Sequence, residues 1–291
     1  MTDRLAVAKT YKLYINGAFP RSESGRADPV KDKGGTLLGH ASKASRKDLR
    51  DAVLAARSGL AKWKAATPYL RAQILYRMAE MLEAKRAEFE ALLEGTEAQG
   101  HEGTRTAGAE VAAAVDRLVA FAGWADKYTH VLGCQNAVSA PYWNITVPEP
   151  TGVIGIVCPA EHPLLALVSL VAPVICSGNA CVVISGASAP VVSTFGEVCA
   201  TGDLPAGVVN LLTGSTAELV PVLAQHRDVD GIHAAGLSPE LARACREGTA
   251  DNLKRVKLRD GVDWFEAAAC GSPWWIEPFV EMKTVWHPIG T

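Results

Sequence analysis

The stretch Pro148 to Pro163, PEPTGVIGIVCPAEHP, decides how this chain folds. Val153–Cys158 is an unbroken apolar run behind Gly152. It reads as the entry strand of an α/β domain of the dinucleotide-binding type. Pro159 to Pro163 lacks the side chains that would make such a domain catalytic. Downstream, strand and helix alternate. Further strands are expected at Ala180–Ile184, Val208–Leu212, Gly231–His233 and Arg255–Leu258. Helices are expected at Leu164–Ser177, Val191–Cys199, Thr216–Ala224 and Pro239–Gly248. Runs such as VIGIVC and CVVI predict burial on both faces, the mark of a parallel sheet covered by helices.

Upstream, Lys12–Phe19 (KLYINGAF) predicts a small hairpin turning at Asn16-Gly17. Gly25 to Gly39 reads as a polar connection. Ser45 and Asp48 form a short capping box for a helix to about Trp63, with Leu49, Val53, Leu54, Ala56 and Leu60 as its apolar stripe. Thr67-Pro68 opens a second helix to about Glu94, and a third runs from about Thr104 to Tyr128. Ala140–Pro150 switches to a period of two, and its terminal prolines predict an edge or isolated strand. After Leu258 the alternation stops. Phe279–Trp286 alternates again and reads as a strand with an external partner.

Composition bounds the function. The chain has 291 residues, 48% of them hydrophobic, enough for a substantial core. A net charge of -2 gives no electrostatic case for nucleic acid. The most apolar window, Leu164–Cys176, is too short for a membrane span and holds Pro173. Met1 to Tyr14 lacks signal-peptide architecture. Seven scattered cysteines without a CxxC pair predict neither disulfides nor a metal site, so a reduced, cytoplasmic chain is expected.

Several stretches, in order, resemble the aldehyde dehydrogenase superfamily. They are Tyr14–Gly25 (YINGAFPRSESG), Pro148–Pro159 (PEPTGVIGIVCP), Ser177–Pro190 (SGNACVVISGASAP), Asp203–Gly214 (DLPAGVVNLLTG) and the tail Val280–Trp286 (VEMKTVW). The resemblance implies an α/β fold: a Rossmann-like open parallel sheet with N-terminal helices and a β oligomerisation flap. It divides the chain into an N-terminal helical part (1–139), an oligomerisation strand (140–150), the sheet (151–266) and a tail with a second oligomerisation strand (267–291). The family inserts a catalytic domain between sheet and tail strand. Here about 15 to 25 residues lie there, too few for a domain. Within the family the chain resembles a truncated member, similar to the non-catalytic C-terminal half of the two-part, sixteenth-class aldehyde dehydrogenases.

The resemblance also shows what is missing. In the family a thiolate attacks the aldehyde, an asparagine amide helps hold the oxyanion, hydride passes to NAD(P), and a glutamate activates water. Glu161 stands at the asparagine position, and losing one oxyanion donor typically costs about 10²–10³ in rate. Glu161 reads as a solvated loop carboxylate or, with His162, as an acid/base pair. Ser185 and Ser188 stand where a lysine and a glutamate would contact the cofactor ribose. Gly214 and Gly236 are the retained glycines; they hold an anion or merely turn the chain. Lys257 replaces the general-base glutamate. Cys270 is the tempting thiol, without an obvious base. His233 replaces an aromatic residue beside the nicotinamide-side turn.

Catalytic and metal residues are therefore not expected, and no cofactor is expected, although NAD(P) binding by Gly214, Gly236, Ser185 and Ser188 stays open. What the resemblance preserves is assembly. Tyr142, Trp143, Ile145, Val147, Met282, Val285 and Trp286 are the expected interface, with Trp274 and Trp275 adding apolar area. The expected function is that of a pseudoenzyme: a structural or regulatory subunit that pairs with itself or with a catalytic aldehyde dehydrogenase chain. The alternative is an NAD(P)-dependent oxidoreductase component whose nucleophile and base come from another chain. A small-molecule sensor using the old cofactor cleft ranks last.

Overall fold

The computed structural model describes residues 7–95, 100, 102–186 and 188–290. The targeting-signal reading of Met1 to Ala6, and Ala187 at the second-strand exit, lie outside them.

The chain opens with β1 (Lys9–Tyr11), β2 (Ala27–Lys31) and β3 (Leu37–Ser42), joined in one small sheet. The turn at Asn16-Gly17 forms as expected, with both residues at positive φ and Ile15 bridging Ala18. The polar run after Gly25 is not a plain connection. β2 and β3 pair antiparallel there, and Asp32 caps their turn by accepting from Gly34 and Thr36.

Helix α1 (Arg46–Ala65) starts at the expected capping box. The Ser45 hydroxyl accepts from the Lys47 and Asp48 amides, and Asp48 accepts from the Ser45 amide at 2.7 Å. Leu54, assigned to the apolar stripe, faces solvent instead. The expected second helix breaks at Lys85 into α2 (Pro68–Ala84) and α3 (Arg86–Gly95). The break lets Lys85 meet both Glu88 and Glu197. The third becomes α4 (Ala107–Trp124) and α5 (Tyr128–Leu132).

The central sheet follows the alternation read from the sequence: β6 (Val153–Cys158), α6 (Pro163–Cys176), β7 (Ala180–Ser185), α7 (Ala189–Thr201), β8 (Val209–Thr213), α8 (Thr216–Gln225), β9 (Gly231–Ala235), α9 (Pro239–Glu247) and β10 (Arg255–Arg259), numbered after the flap strands given below. Its five strands are all parallel, in the order β10-β9-β6-β7-β8. Side chains alternate between two cores. Val153, Val157, Val182 and Ile184 meet α1 and α8. Ile154, Ile156, Cys181 and Val183 meet α6 and α7, with α2, α3 and α4 packed behind. Every residue of α6 is buried, as a helix between sheet and outer helices requires.

The flap consists of β4 (Cys134–Gln135), β5 (Tyr142–Pro150) and β11 (Val280–Pro288), in the order β11-β5-β4. Two expectations are corrected here. β5 is the middle strand, not an edge, because the short β4 covers one margin and β11 the other. The partner of the tail strand lies in this chain: β11 pairs with β5 over nine residues, from Val280↔Pro150 to Pro288↔Tyr142. Residues 260–279, including helix α10 (Ala267–Cys270), carry the chain from β10 straight into β11.

Sheet and flap meet at Asn179, which is fully buried. Its carbonyl oxygen accepts from the Gly152 amide at 2.7 Å, and its amide nitrogen donates to the Phe279 carbonyl at 2.8 Å. One side chain thus ties the entry to β6 to the entry to β11. Asn179→Ala leaves the Gly152 amide buried without its partner, at a cost of about 1–3 kcal/mol. Urea unfolding of the variant against the parent chain measures that loss.

Candidate functional site

In an open α/β sheet, ligands bind where the strand order reverses, at the carboxyl ends of the strands. Here that point lies between β6 and β9, at Cys158-Pro159 and Ala235-Gly236. The candidate residues distribute around it unevenly.

Gly236 has φ 64°, and a Cβ there would stand 2.8 Å from the Pro159 Cβ. The two strand exits touch, and glycine is what allows it. Gly214 has φ 152°, and a Cβ would approach the Ala44 amide nitrogen to 3.2 Å. Its own amide donates to the Ser185 carbonyl. Both glycines therefore serve close chain packing. The helix after Gly214 is already capped, since the Ser215 hydroxyl accepts from the Glu218 amide. Ser185 is buried at the end of β7, and Ser188 precedes α7. Ser185 and Gly214 thus lie at the adjoining exits of β7 and β8, and Gly236 at the exit of β9.

Beyond Pro159, Glu161 projects into solvent, its side chain 53% exposed. His162 turns the opposite way. It adopts a left-handed conformation, φ 45°, and is buried. Its Nε2 lies 3.8 Å from Glu161 and its Nδ1 3.7 Å from Glu110, with the Phe265 ring edge-on at 5.0 Å. Glu110, wholly buried on α4, accepts from the Leu164 and Leu165 amides at 2.8 and 3.0 Å. The free N–H groups that make a helix start attractive to an external anion are thus occupied on α6 by the chain's own carboxylate. Sequence reading missed Glu110. Its signal was its place on the apolar stripe with Ala114, Arg117 and Phe121, at helical spacing.

Cys270 lies far from Glu161 in role as well as in sequence. It is buried, and its thiol donates to the Asp263 carbonyl at 3.4 Å. Burial raises its pKa, while the neighbouring Arg117 and Arg259 oppose the rise. Burial also holds the Arg259 guanidinium down, to about 10. Arg117 is spent on Ser169 and the Trp264 carbonyl. The Arg259 guanidinium carbon lies over the Trp275 ring, 3.4 Å from its centre. Trp275 thereby leaves the expected interface, because it packs inside against Trp264, His233 and Arg259. Lys257, at the expected base position, is exposed on the outer strand.

His233 is in the core. Its Nε2 accepts from Arg259 Nε at 2.6 Å, and its Nδ1 faces the Leu170 carbonyl at 3.2 Å, which fixes the neutral tautomer. Burial first, then the charge of Arg259, hold its pKa well below 6.5. Among the described residues no group of three or more His, Cys, Asp and Glu side chains could hold a metal ion.

The seven interface candidates sit together on the flap. They are exposed by amounts from 38% at Val147 to 58% at Trp286. Trp143, Ile145, Val147 and Val285 share one face. Tyr142, Met282 and Trp286 share the other, where Tyr142 meets Trp286 edge-on.

A doubly wound parallel sheet with its crevice at the switch point defines a Rossmann-like α/β fold. The aldehyde dehydrogenase family profile matches residues 19–263, and the chain belongs to that family. It is 30% identical over 256 residues to the putative aldehyde dehydrogenase DhaS of Bacillus subtilis (strain 168), covering 87% of this chain and 50% of that one. It is 29% identical to the cytosolic 10-formyltetrahydrofolate dehydrogenase of Xenopus laevis, covering 89% of this chain and 29% of that one. The solved NAD+ complex of a Bacillus cereus aldehyde dehydrogenase superposes with a TM-score of 0.80 at 25% identity, over 87% of this chain and 51% of that one. The chain spans about half the length of the first of these relatives.

Two outcomes are expected. Iodoacetamide at neutral pH labels the exposed Cys134 of the native chain, and Cys270 only after unfolding; peptide mass spectrometry reads the sites. The second concerns pH. A neutral His233 binds fewer protons below pH 6.5 than the unfolded chain does, so its contribution is complete above 6.5 and is lost as pH falls below it. Unfolding free energy should drop between pH 7 and 5 more steeply in the parent chain than in His233→Leu. The difference in slope is at most about 1.4 kcal/mol per pH unit.

Proposed function

We propose that this chain is an aldehyde dehydrogenase-like pseudoenzyme, a structural or regulatory subunit that assembles through β5 and β11 with itself or with a catalytic aldehyde dehydrogenase. The family activity is NAD(P)-dependent aldehyde oxidation. One observation carries the reading. Residues 260–279 run directly from sheet to flap, and the groups they bring in, Trp264, Phe265, Cys270, Trp275 and Ile276, pack as core. Glu161 is exposed, Cys270 is buried and Lys257 stands exposed on the outer strand, so the three lie in unlike surroundings. The flap meanwhile keeps an apolar surface on both faces. The reading places the chain in the cytoplasm, divided at 139/140, 150/151 and 266/267.

Cofactor residues fit poorly. Gly214 and Gly236 are held at close backbone contacts, and the first turn of α8 is capped from within. The second reading, an NAD(P)-dependent component completed by another chain, draws on one finding. The sheet superposes on an NAD+ complex of a family member across most of this chain.

Calorimetric titration with NAD and NADP separates the two. The first reading expects no heat at millimolar cofactor. Binding that disappears in Gly214→Val or Gly236→Val, with the fold intact by circular dichroism, would establish the second. Light scattering tests assembly: a monomer at micromolar concentration that ignores a catalytic relative would overturn the first.

A further inference from the structure

A cleft of about 340 Å³ opens between the small N-terminal sheet and the loop that leads into β2. Its floor follows from strand register. Thr10 of β1 stands directly beside His40 of β3, and alternation along β3 puts Ser42 on the same face. Tyr11 and Ala41, of opposite parity, turn the other way and are buried. The wall is the loop 20–26, which contributes Arg21, Ser22 and Arg26. Among the described residues no Asp or Glu lines the cleft. The wall is held from behind. The Ser22 hydroxyl and the Glu23 amide donate to the two oxygens of Asp48, at 2.7 and 3.2 Å, and the Lys43 amide donates to the Arg26 carbonyl at 3.0 Å. A cleft fixed in this way loses little freedom when it is filled.

Its charge is not balanced. Every carboxylate tied to the wall or the strands behind it is engaged. Glu218 meets Arg26 at 2.9 Å, Glu23 meets Lys47 at 3.3 Å, and Asp28 meets Lys43 at 3.2 Å. Asp48 accepts from the Ser22 hydroxyl and the Ser45 amide. The Arg21 guanidinium, by contrast, has no ion pair and no hydrogen bond among the described residues. The His40 ring and the hydroxyls of Thr10 and Ser42 are equally unengaged there. The surroundings add to this excess. Residues 9–51 carry ten lysines and arginines against five Asp and Glu, in a chain whose net charge is -2. Such a local surplus draws anions to the cleft.

We propose that this cleft binds a small phosphate monoester. The guanidinium of Arg21 is the charged anchor, because its planar fork matches two phosphate oxygens at once. Thr10 and Ser42 supply hydroxyl donors from the floor, and His40 a ring N–H between them. The volume selects the class of ligand. At about 30 Å³ per water, the cleft has room for roughly ten, more than a bare phosphate fills. The remainder suits a short polar body carried on the phosphate, since Thr10, Ser22 and Ser42 offer it hydroxyls. Ser185, Ser188, Gly214 and Gly236 are not among the lining residues, so the cleft is distinct from the dinucleotide positions considered above. The proposal goes beyond the assembly reading and does not depend on it.

The test uses the full chain and glycerol 2-phosphate as the probe. Isothermal titration calorimetry should find one glycerol 2-phosphate bound per chain, more weakly as sodium chloride is raised, because the site is open to screening. Arg21→Met changes an exposed side chain and should leave the far-ultraviolet spectrum as it is. It should weaken binding about tenfold or more, the loss expected for one charge-assisted contact. Arg21→Lys should recover part of that loss, since it restores the charge without the fork. Ser42→Ala should weaken binding by a smaller factor. Binding that survives Arg21→Met and disappears in Gly214→Val assigns the phosphate to the old cofactor cleft and overturns this site. The absence of both heat and a rise in melting temperature at millimolar glycerol 2-phosphate overturns it as well.

Discussion

Much of this molecule hangs on one buried amide. Asn179 holds the Gly152 amide on one side and the Phe279 carbonyl on the other, and the Ser177 hydroxyl accepts its second N–H. Phe279 also receives the Thr151 amide. The place where the chain leaves the flap for the sheet, and the place where it returns, are thereby fixed to the same turn after α6. Burial makes the arrangement stringent, because none of these groups has water as a substitute. Asp230 reinforces it from the neighbouring turn by accepting from the Val153 amide and from Arg57.

That anchorage allows residues 260–279 to act as a packed strap. Trp264, Trp275, Ile276 and Phe279 add large apolar area to the core beside β9 and β10. The strap also shelters charge. Arg117 donates to a hydroxyl and a carbonyl, while Arg259 donates to a histidine nitrogen and sits over an indole face, with its Nη2 buried without a hydrogen-bond partner. Two buried arginines beside a thiol would activate an exposed cysteine. Here burial outweighs them, and the thiol stays protonated.

The sheet was legible in the sequence because its strands are continuous apolar runs and its helices begin at Ser, Thr or Pro signals. Val153–Cys158 and the capping box at Ser45 and Asp48 are where the reading said. What the sequence hid depends on contacts far apart in the chain. Proline at both ends of Tyr142–Pro150 suggested an edge, yet the strand is flanked on both sides, since Pro148 and Pro150 stand where β4 no longer reaches. Tail alternation suggested a partner outside the chain. The partner is β5, 130 or more positions earlier, which periodicity cannot reveal. Trp274 and Trp275 look alike in sequence, but one is exposed and the other buried on Arg259. Around the candidate site, the glycines and Glu161 were singled out from their motif positions. Glu110 and the inward turn of His162 were not, because a charged residue on an alanine-rich helix carries little signal until its partner is in place.

The brevity of β4 has a consequence of its own. With only Cys134 and Gln135 in that strand, the far margin of the flap offers too little backbone to template a neighbour, while Tyr14 lies across the β8 border of the central sheet. Growth by strand addition therefore has a single sticky end on the flap. A symmetric contact at that margin would consume it in both participants at once, so that accretion through the flap would stop at a pair and not run on into a filament.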